Sequence, residues 1–435
     1  MATVVRQCDR VDQALTTIFA RSTGALPSAI AIVRISGARA GAALEALTRK
    51  PVPPARTAVV RRLIDAHEAL LDAAMVLWLP GPGTATGEDM VELHLHGSRA
   101  VVAGVEAALA ELPGIVAAEP GAFTRRAFEN GRMDLSQVEG LADLLSAETA
   151  RQRTAALTMA EGGLRRQVEA WQVRLLDLAA RVEASIDHED EADVVAGPID
   201  ADTRALVATL DSALENPPAE RLRDGVRIGI AGPPNAGKST LINALAGRDA
   251  AIVSPVAGTT RDLIEVPLNL DGIPVVLIDM AGLRDDGADS VEQVGIDRAY
   301  QAMARSDLIL WLGDGIAAPK GRVIPIAAKS DIRPDPQAAY NVSAVTGEGL
   351  ASLRHAIRGH AEDLLPSANQ LVLTASQHQH VLAARDSLSQ GLGEPDEVIR
   401  AESLRQAMTS LDHITGRADT EAMLDSLFGR FCIGK

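Results

Sequence analysis

At 435 residues the chain is too long for one ordinary hydrophobic core, so two or three domains are expected. Its 47% hydrophobic and 23% charged residues are those of a globular protein, and its two cysteines, Cys8 and Cys432, exclude a disulfide framework or a four-cysteine metal site. A net charge of -16 opposes generic polyanion binding and an aromatic content of 2% opposes a stacked-ring RNA platform, so any RNA contact must be local or shared with a partner.

No apolar run approaches bilayer length, and Arg6, Asp9, Arg10 and Asp12 interrupt a secretory core, so a cytoplasmic location and no membrane partner are expected. Up to about residue 130, short β-type runs such as Ala29–Ile35 and Met90–His96 mix with Ala-rich helical stretches, an α+β pattern. His94 and His96 face one side of the second run, but without a third ligand nearby they read as a polar face rather than a zinc site. From Leu135 to about Arg223 interior Pro and Gly almost vanish and Leu175, Leu178, Val182 and Ile186 recur at helical spacing. The acidic run Asp187–Asp193 reads as a solvated helix end or loop.

From Val226 to about Ile357 strands alternate with helices, as in a doubly wound, mostly parallel sheet; after Pro366 the helical pattern returns, with His378 and His380 in a Gln-rich helix start. The expected fold is multidomain: α+β over 1–132, helical over 133–222 and 364–435, and an α/β domain inserted at 223–363.

The insertion carries the clearest chemistry. The apolar strand Val226–Ala231 runs into Gly232-Pro-Pro-Asn235-Ala236-Gly237-Lys238-Ser239-Thr240, which fits the P-loop pattern G-x-x-x-x-G-K-[ST]. The glycines let backbone amides close around phosphate oxygens, Lys238 reaches the β and γ phosphates, and Ser239 ligates magnesium. Downstream, the strand Val275–Ile278 ends in Asp279-Met-Ala-Gly282, where Asp holds the magnesium shell and the Gly amide senses the γ phosphate. Between these, Gly258-Thr259-Thr260 offers a hydroxyl that can close on magnesium. The strand Val323–Ala327 leads to Lys329 and Asp331, and Ser343-Ala344 follows a further strand; a carboxylate there accepts from guanine N1 and N2 while the Ser-Ala backbone meets O6. Five elements in this order define GTP rather than ATP as the expected substrate.

Three departures stand out. Ala328 occupies the place of the Asn that usually ties the loops beside the base, and only Gly313–Arg322 is left to join two parallel strands, barely the minimum for a crossover. Leu283, directly after D-x-x-G, cannot orient water, so another group must. Asp285, Asp286, Asp289 and Glu292 follow closely, and residue type alone does not choose among them.

The sequence resembles the MnmE (TrmE) tRNA modification GTPases over nearly its whole length. The resemblance is carried by Val33-Arg34-Ile35-Ser36-Gly37, by Gly87-Glu88-Asp89-Met90-Val91-Glu92 with His94-Leu95-His96-Gly97, by Glu119 through Glu139, and by the terminal Phe431-Cys432-Ile433-Gly434-Lys435. It implies that Glu292, in Val291-Glu292 before Gly295-Ile296, positions the attacking water. It implies that Asn235, Ser254, Val256 and Thr259 hold potassium and that Thr260 is the second magnesium ligand after Ser239, the potassium standing where an arginine finger otherwise would. It further implies an N-terminal module for 5-formyl- or 5,10-methylene-tetrahydrofolate, with Arg34, Glu92, Arg132 and Lys435 at the binding positions and Cys432 nearby. A carboxylate suits the pterin edge and cations suit the glutamate tail. Arg132 replaces a common Lys there, which keeps charge but not geometry. Without the resemblance Arg34 and Glu92 read as surface charges.

The partners it implies are a second copy of the chain, an MnmG (GidA)-type FAD protein in a heterotetramer, and tRNA. A switch GTPase without RNA chemistry is the competing class, but such proteins append a basic RNA-binding module that this chain lacks.

Overall fold

The computed structural model describes residues 16–187, 199–233, 235–250, 264–280, 305–313, 321–336, 338–366, 371–416, 424, 427–429, 431 and 434. The chain forms two compact units, Met1–Ala142 with Thr415–Lys435, and Asp143–Ile414.

The first unit contains β1 (Thr17–Arg21), β2 (Ile30–Ser36), α1 (Ala40–Thr48), β3 (Val59–Ile64), β4 (Leu70–Leu79), β5 (Met90–His96), α2 (Arg99–Ala110), β6 (Ile115–Ala117), α3 (Ala122–Glu129) and the start of α4 (Leu135–Ser146). Its six-stranded sheet has the order β3-β4-β5-β2-β1-β6. Period-two alternation decides the faces. Val33 and Ile35 of β2 and Val91 and Leu93 of β5 are wholly buried in one core with Leu44 of α1 and Val105 of α2. The intervening Arg34, Ser36, Glu92 and His94 therefore lie on the opposite face, part of which α3 covers by packing Phe123 on Ile18, Ala20 and Met90. Ser98 caps α2, its hydroxyl accepting from Val101 N at 3.1 Å. A smaller core joins Leu135 and Val138 to Leu427, Phe428 and Phe431, so the end of the chain packs within this unit.

The second unit continues with α5 (Ala150–Ala160), α6 (Gly163–Asp187), α7 (Ile199–Leu214), α8 (Ala219–Asp224), β7 (Val226–Ala231), α9 (Lys238–Ala250), β8 (Ile264–Leu270), β9 (Ile273–Asp279), β10 (Leu308–Trp311), β11 (Val323–Pro325), β12 (Ala327–Ala328), β13 (Asn341–Val342), α10 (Leu350–Glu362), α11 (Ala375–Gln390) and α12 (Glu397–Ile414). The stripe Leu164, Val168, Trp171, Leu175 and Leu178 of α6 is buried against α7, α11 and α12, a helical core. Thr374 and Gln377 close a capping box at the start of α11. After α8 comes the α/β insertion, which ends with α10 and holds a sheet of order β11-β10-β7-β9-β8 in which only β8 runs antiparallel. The architecture is the multidomain one expected.

One expected strand divides. Val323–Ala327 becomes β11, paired with β10, and β12, paired with β13. Ile326 N still donates to Trp311 O at 2.9 Å, whereas Ala327 N donates to Tyr340 O at 2.9 Å, so the chain changes partners within one residue. The short connection expected at Gly313–Arg322 falls largely outside the described residues.

Candidate functional site

Ile228 and Ile230 are fully buried and hold β7 in the centre of the sheet, which delivers the P-loop to its carboxyl edge. Asn235 and Gly237 both have positive φ, 60° and 98°, a conformation glycine adopts without strain and Asn tolerates. Ala236 packs on the core beneath, and Ser239 and Thr240 open α9 with exposed positions. Lys238 is 6% exposed, and its Nζ donates to the carbonyls of Gly232 at 2.8 Å and Pro233 at 2.9 Å. Burial pushes its ammonium below the ordinary value of 10.5, while the charge of Asp279 acts in the opposite direction. A polyphosphate at this point would supply the negative charge that favours the ammonium.

The parallel pairing of β7 with β9 sets Ile230 opposite Asp279, and Ser239 Oγ donates to Asp279 Oδ2 at 2.8 Å. A hydroxyl and a buried carboxylate one hydrogen bond apart fit magnesium, which takes one or two such oxygens and fills its octahedron with water and phosphate. Gly282, Ser254, Val256, Thr259, Thr260 and Glu292 lie outside the described residues.

The base-reading segments come together through β12 and β13, with Ala328 opposite Val342 and Ser330 N donating to Val342 O at 3.2 Å. Lys329 and Asp331 thus leave one strand beside Ser343 and Ala344 leaving the next. Ser343 is fully buried and organises its own turn, its hydroxyl accepting from Thr346 N and its carbonyl from Gly347 N. Asp331 is exposed. Lys329, at φ 60°, donates from Nζ to Asn235 O at 2.6 Å. This tie between the base-reading loop and the P-loop was not evident from sequence; its one signal was the missing Asn at 328. Within the base-reading side itself, the Asn341 side chain clamps the preceding loop, donating to Asp335 O at 2.7 Å and accepting from Asp335 N at 2.8 Å.

In the first unit, cross-strand register sets Arg34 directly opposite Glu92, and Arg34 Nε donates to Glu92 Oε1 at 2.9 Å. Arg132 follows α3, its amide bonded to Ala127 O at 2.7 Å, and its side chain runs past Gly87, where a Cβ would lie 3.3 Å from Arg132 Cγ. The loop carrying Gly87 is fixed by a half-buried network that sequence reasoning missed. Arg126 donates to Glu88 Oε2 at 2.8 Å and to Ser36 O at 3.2 Å, and Ser36 Oγ donates to the same Glu88 oxygen at 2.7 Å. The chain terminus arrives here as well: Gly434 O accepts from Ser22 Oγ at 2.9 Å, and Ser22 N donates to Ile32 O, two residues along β2 from Arg34. Gly434 has φ 94°, and a Cβ on it would overlap the Arg21 carbonyl oxygen. Cys432 and Lys435 lie outside the described residues.

A P-loop leaving a central parallel strand, with a Ser–Asp oxygen pair and a base-reading loop moored to it, defines a GTP-hydrolysing enzyme that uses magnesium. The comparisons with known proteins narrow that class. A profile described as the GTP-binding protein TrmE N-terminus matches residues 17–132, and one described as the MnmE helical domain matches residues 135–432. A protein named tRNA modification GTPase MnmE from Novosphingobium aromaticivorans is 50% identical over 438 residues, covering 96% of this chain and 99% of that one. Its namesake from Rhizorhabdus wittichii is 54% identical over 427 residues, 96% of each chain. The chain belongs to the MnmE family of tRNA modification GTPases. The solved G domain of the T. maritima FeoB iron transporter is 26% identical, covering 31% of this chain and 98% of that one with a TM-score of 0.24, a likeness on which nothing further rests. Among the described residues no helix is long and apolar enough to cross a membrane.

Proposed function

We propose that the chain is a homodimeric, potassium-stimulated, cytoplasmic GTPase that acts with an MnmG-type FAD protein, as a heterotetramer, to add a (carboxymethyl)aminomethyl group to C5 of the wobble uridine of certain tRNAs. The observation that carries this reading is the joint presence, on one chain, of the moored GTP site, of an Arg34–Glu92 pair, and of a C-terminal signature whose Gly434 is bonded to Ser22, itself bonded to the strand that carries Arg34. In this reading residues 1–132 bind folate and dimerise, 133–222 and 364–435 form the helical frame, and 223–363 hydrolyse GTP.

Roles follow from chemistry and family likeness together. Lys238 neutralises the β and γ phosphates, Ser239 and Thr260 hold magnesium with Asp279 behind them, and Glu292 orients the attacking water. Asn235, Ser254, Val256 and Thr259 hold potassium, whose charge takes the place of an arginine finger. Asp331 reads the guanine edge, with Lys329 and the Ser343-Ala344 backbone beside it, and Gly282 senses the γ phosphate.

Arg34, Glu92, Arg132 and Lys435 bind a tetrahydrofolate, which would supply the one-carbon unit. The paired cation and carboxylate on an open strand row fit such a ligand: Arg34 and Glu92 are 34% and 18% exposed. Dimerisation is supported by the same sheet face, where Val60, Met75 and Ile30 are 72%, 38% and 57% exposed and Val60 lies opposite Met75. The test is mass analysis of wobble nucleosides from cells lacking this chain; unchanged nucleosides would remove the tRNA reading and leave the GTPase intact.

A further inference from the structure

The two histidines that alternate on β5 part company in the fold. His96 belongs to Asp72, its Nδ1 lying 2.7 Å from Oδ1. His94 belongs to Glu92, with Nε2 3.3 Å from Oε2 and with side chains 19% and 18% exposed. An ionised carboxylate only accepts, so the proton of this contact sits on His94 Nε2. Glu92 therefore receives one donor on each oxygen, Arg34 Nε on Oε1 from across the sheet and His94 on Oε2 from two residues along its own strand. Register places His94 between Met75 of β4 and Ile32 of β2, so its ring stands in an apolar row.

With Arg34 alone, the Glu92 carboxylate could still turn about its terminal torsion, which is broad for glutamate. A second donor from a side chain confined by its neighbours removes that freedom. The carboxylate has about four lone-pair positions, so two bonds leave acceptor capacity for a ligand N–H edge.

We infer that His94 is a positioning residue of the Arg34–Glu92 site, holding the Glu92 carboxylate in the orientation in which it meets the pterin-like edge of a folate. This rests on the folate reading given above. A histidine that merely filled the row between Met75 and Ile32 would be replaceable by an apolar ring of similar bulk, whereas a positioning donor would not.

The test is calorimetric binding of 5-formyltetrahydrofolate to the full-length protein and to its His94→Phe, His94→Gln and Arg34→Ala variants, with GDP binding and thermal melting as folding controls. The expected pattern is loss of binding in Arg34→Ala, weakening of about tenfold in His94→Phe, and recovery to within about threefold of wild type in His94→Gln, which restores a donor. GDP affinity stays unchanged throughout. If His94→Phe binds like wild type while Arg34→Ala does not, or if His94→Gln is as weak as His94→Phe, the positioning role is wrong and the folate site stands. Absence of binding by the wild type, or equal binding by Arg34→Ala, would overturn the folate reading and this inference with it.

Discussion

Lys329 reaches from the base-reading loop to the P-loop and donates to the carbonyl of Asn235 at 2.6 Å. Ala328 has no side-chain group with which to share that task. A charge-assisted hydrogen bond is worth about 1.5 to 3 kcal/mol when shielded, but this one is solvent-exposed and contributes about 1 kcal/mol, so Lys329→Met, which keeps the stem and loses the ammonium, should weaken GDP binding roughly fivefold. Ala328→Asn should tighten it by about fivefold, one added neutral hydrogen bond. Fluorescent-nucleotide titration checks both; equal affinity in wild type and Lys329→Met would mean that the contact does not moor the loop when nucleotide is bound.

Hydrolysis is expected to depend on the monovalent cation. Leu283 cannot align water, and a cation beside Asn235 would neutralise charge developing between the β and γ phosphates, a role worth roughly 10³ to 10⁵ in rate where an arginine fills it. Turnover should be at least about tenfold faster in potassium than in sodium, and Asn235→Ala should erase the difference. Glu292→Ala should bind GTP normally and turn over poorly. Equal turnover in the two salts would contradict the cation role, and normal turnover by Glu292→Ala would contradict the role of Glu292.

The chain terminus should matter to tRNA chemistry and not to nucleotide binding. Deleting Phe431–Lys435 is expected to abolish modification while GDP affinity is retained, because no nucleotide-binding element lies there. Gly434→Ala should approach the same result with a single methyl group, since a Cβ would overlap the Arg21 carbonyl oxygen at φ 94°. Full modification by either variant, measured on tRNA from complemented cells, would show that the terminus is dispensable.

Acid stability should carry the signature of Asp72. Burial by itself raises the pKa of this carboxyl, but bonds from the His96 amide and ring and from the Ala73 amide outweigh it, and the pKa lies below the ordinary value of 3.8. A depressed folded pKa means stability that is fully present above the unfolded value and lost as pH falls through the folded one. Asp72→Asn should therefore cost about 2 kcal/mol near neutrality, with the difference closing only below about pH 3.8. Chemical denaturation at a series of pH values checks this; a pH-independent difference would show that the charge of Asp72 is not what the His96 contacts serve.

Elements ruled by local pattern were legible in the sequence. Met90–His96 and Val226–Ala231 form strands with the bounds that their apolar patterns gave, because alternation and a continuous buried run fix a strand without reference to its partners. Val323–Ala327 was not legible to the residue, since its division depends on Trp311 and Tyr340 competing for successive amides. The moorings were hidden for the same reason: Lys329 and Asn235 are 94 positions apart, and Arg34 and Glu92 are 58 apart. His94 and His96 share a strand face, yet His94 meets Glu92 of its own strand while Asp72 of the neighbouring strand takes His96.

Under the proposed function, GTP hydrolysis at the Lys238 site drives modification of the wobble uridine. The most direct test is the nucleoside mass spectrum of tRNA from cells whose only copy of this chain carries Lys238→Ala. Losing the ammonium that the P-loop holds against Gly232 and Pro233 should remove nucleotide binding, and with it the C5 substituent, while the wild-type chain restores both. A fully modified wobble nucleoside in the Lys238→Ala cells, with nucleotide binding abolished in the purified variant, would show that modification does not depend on GTP at this site.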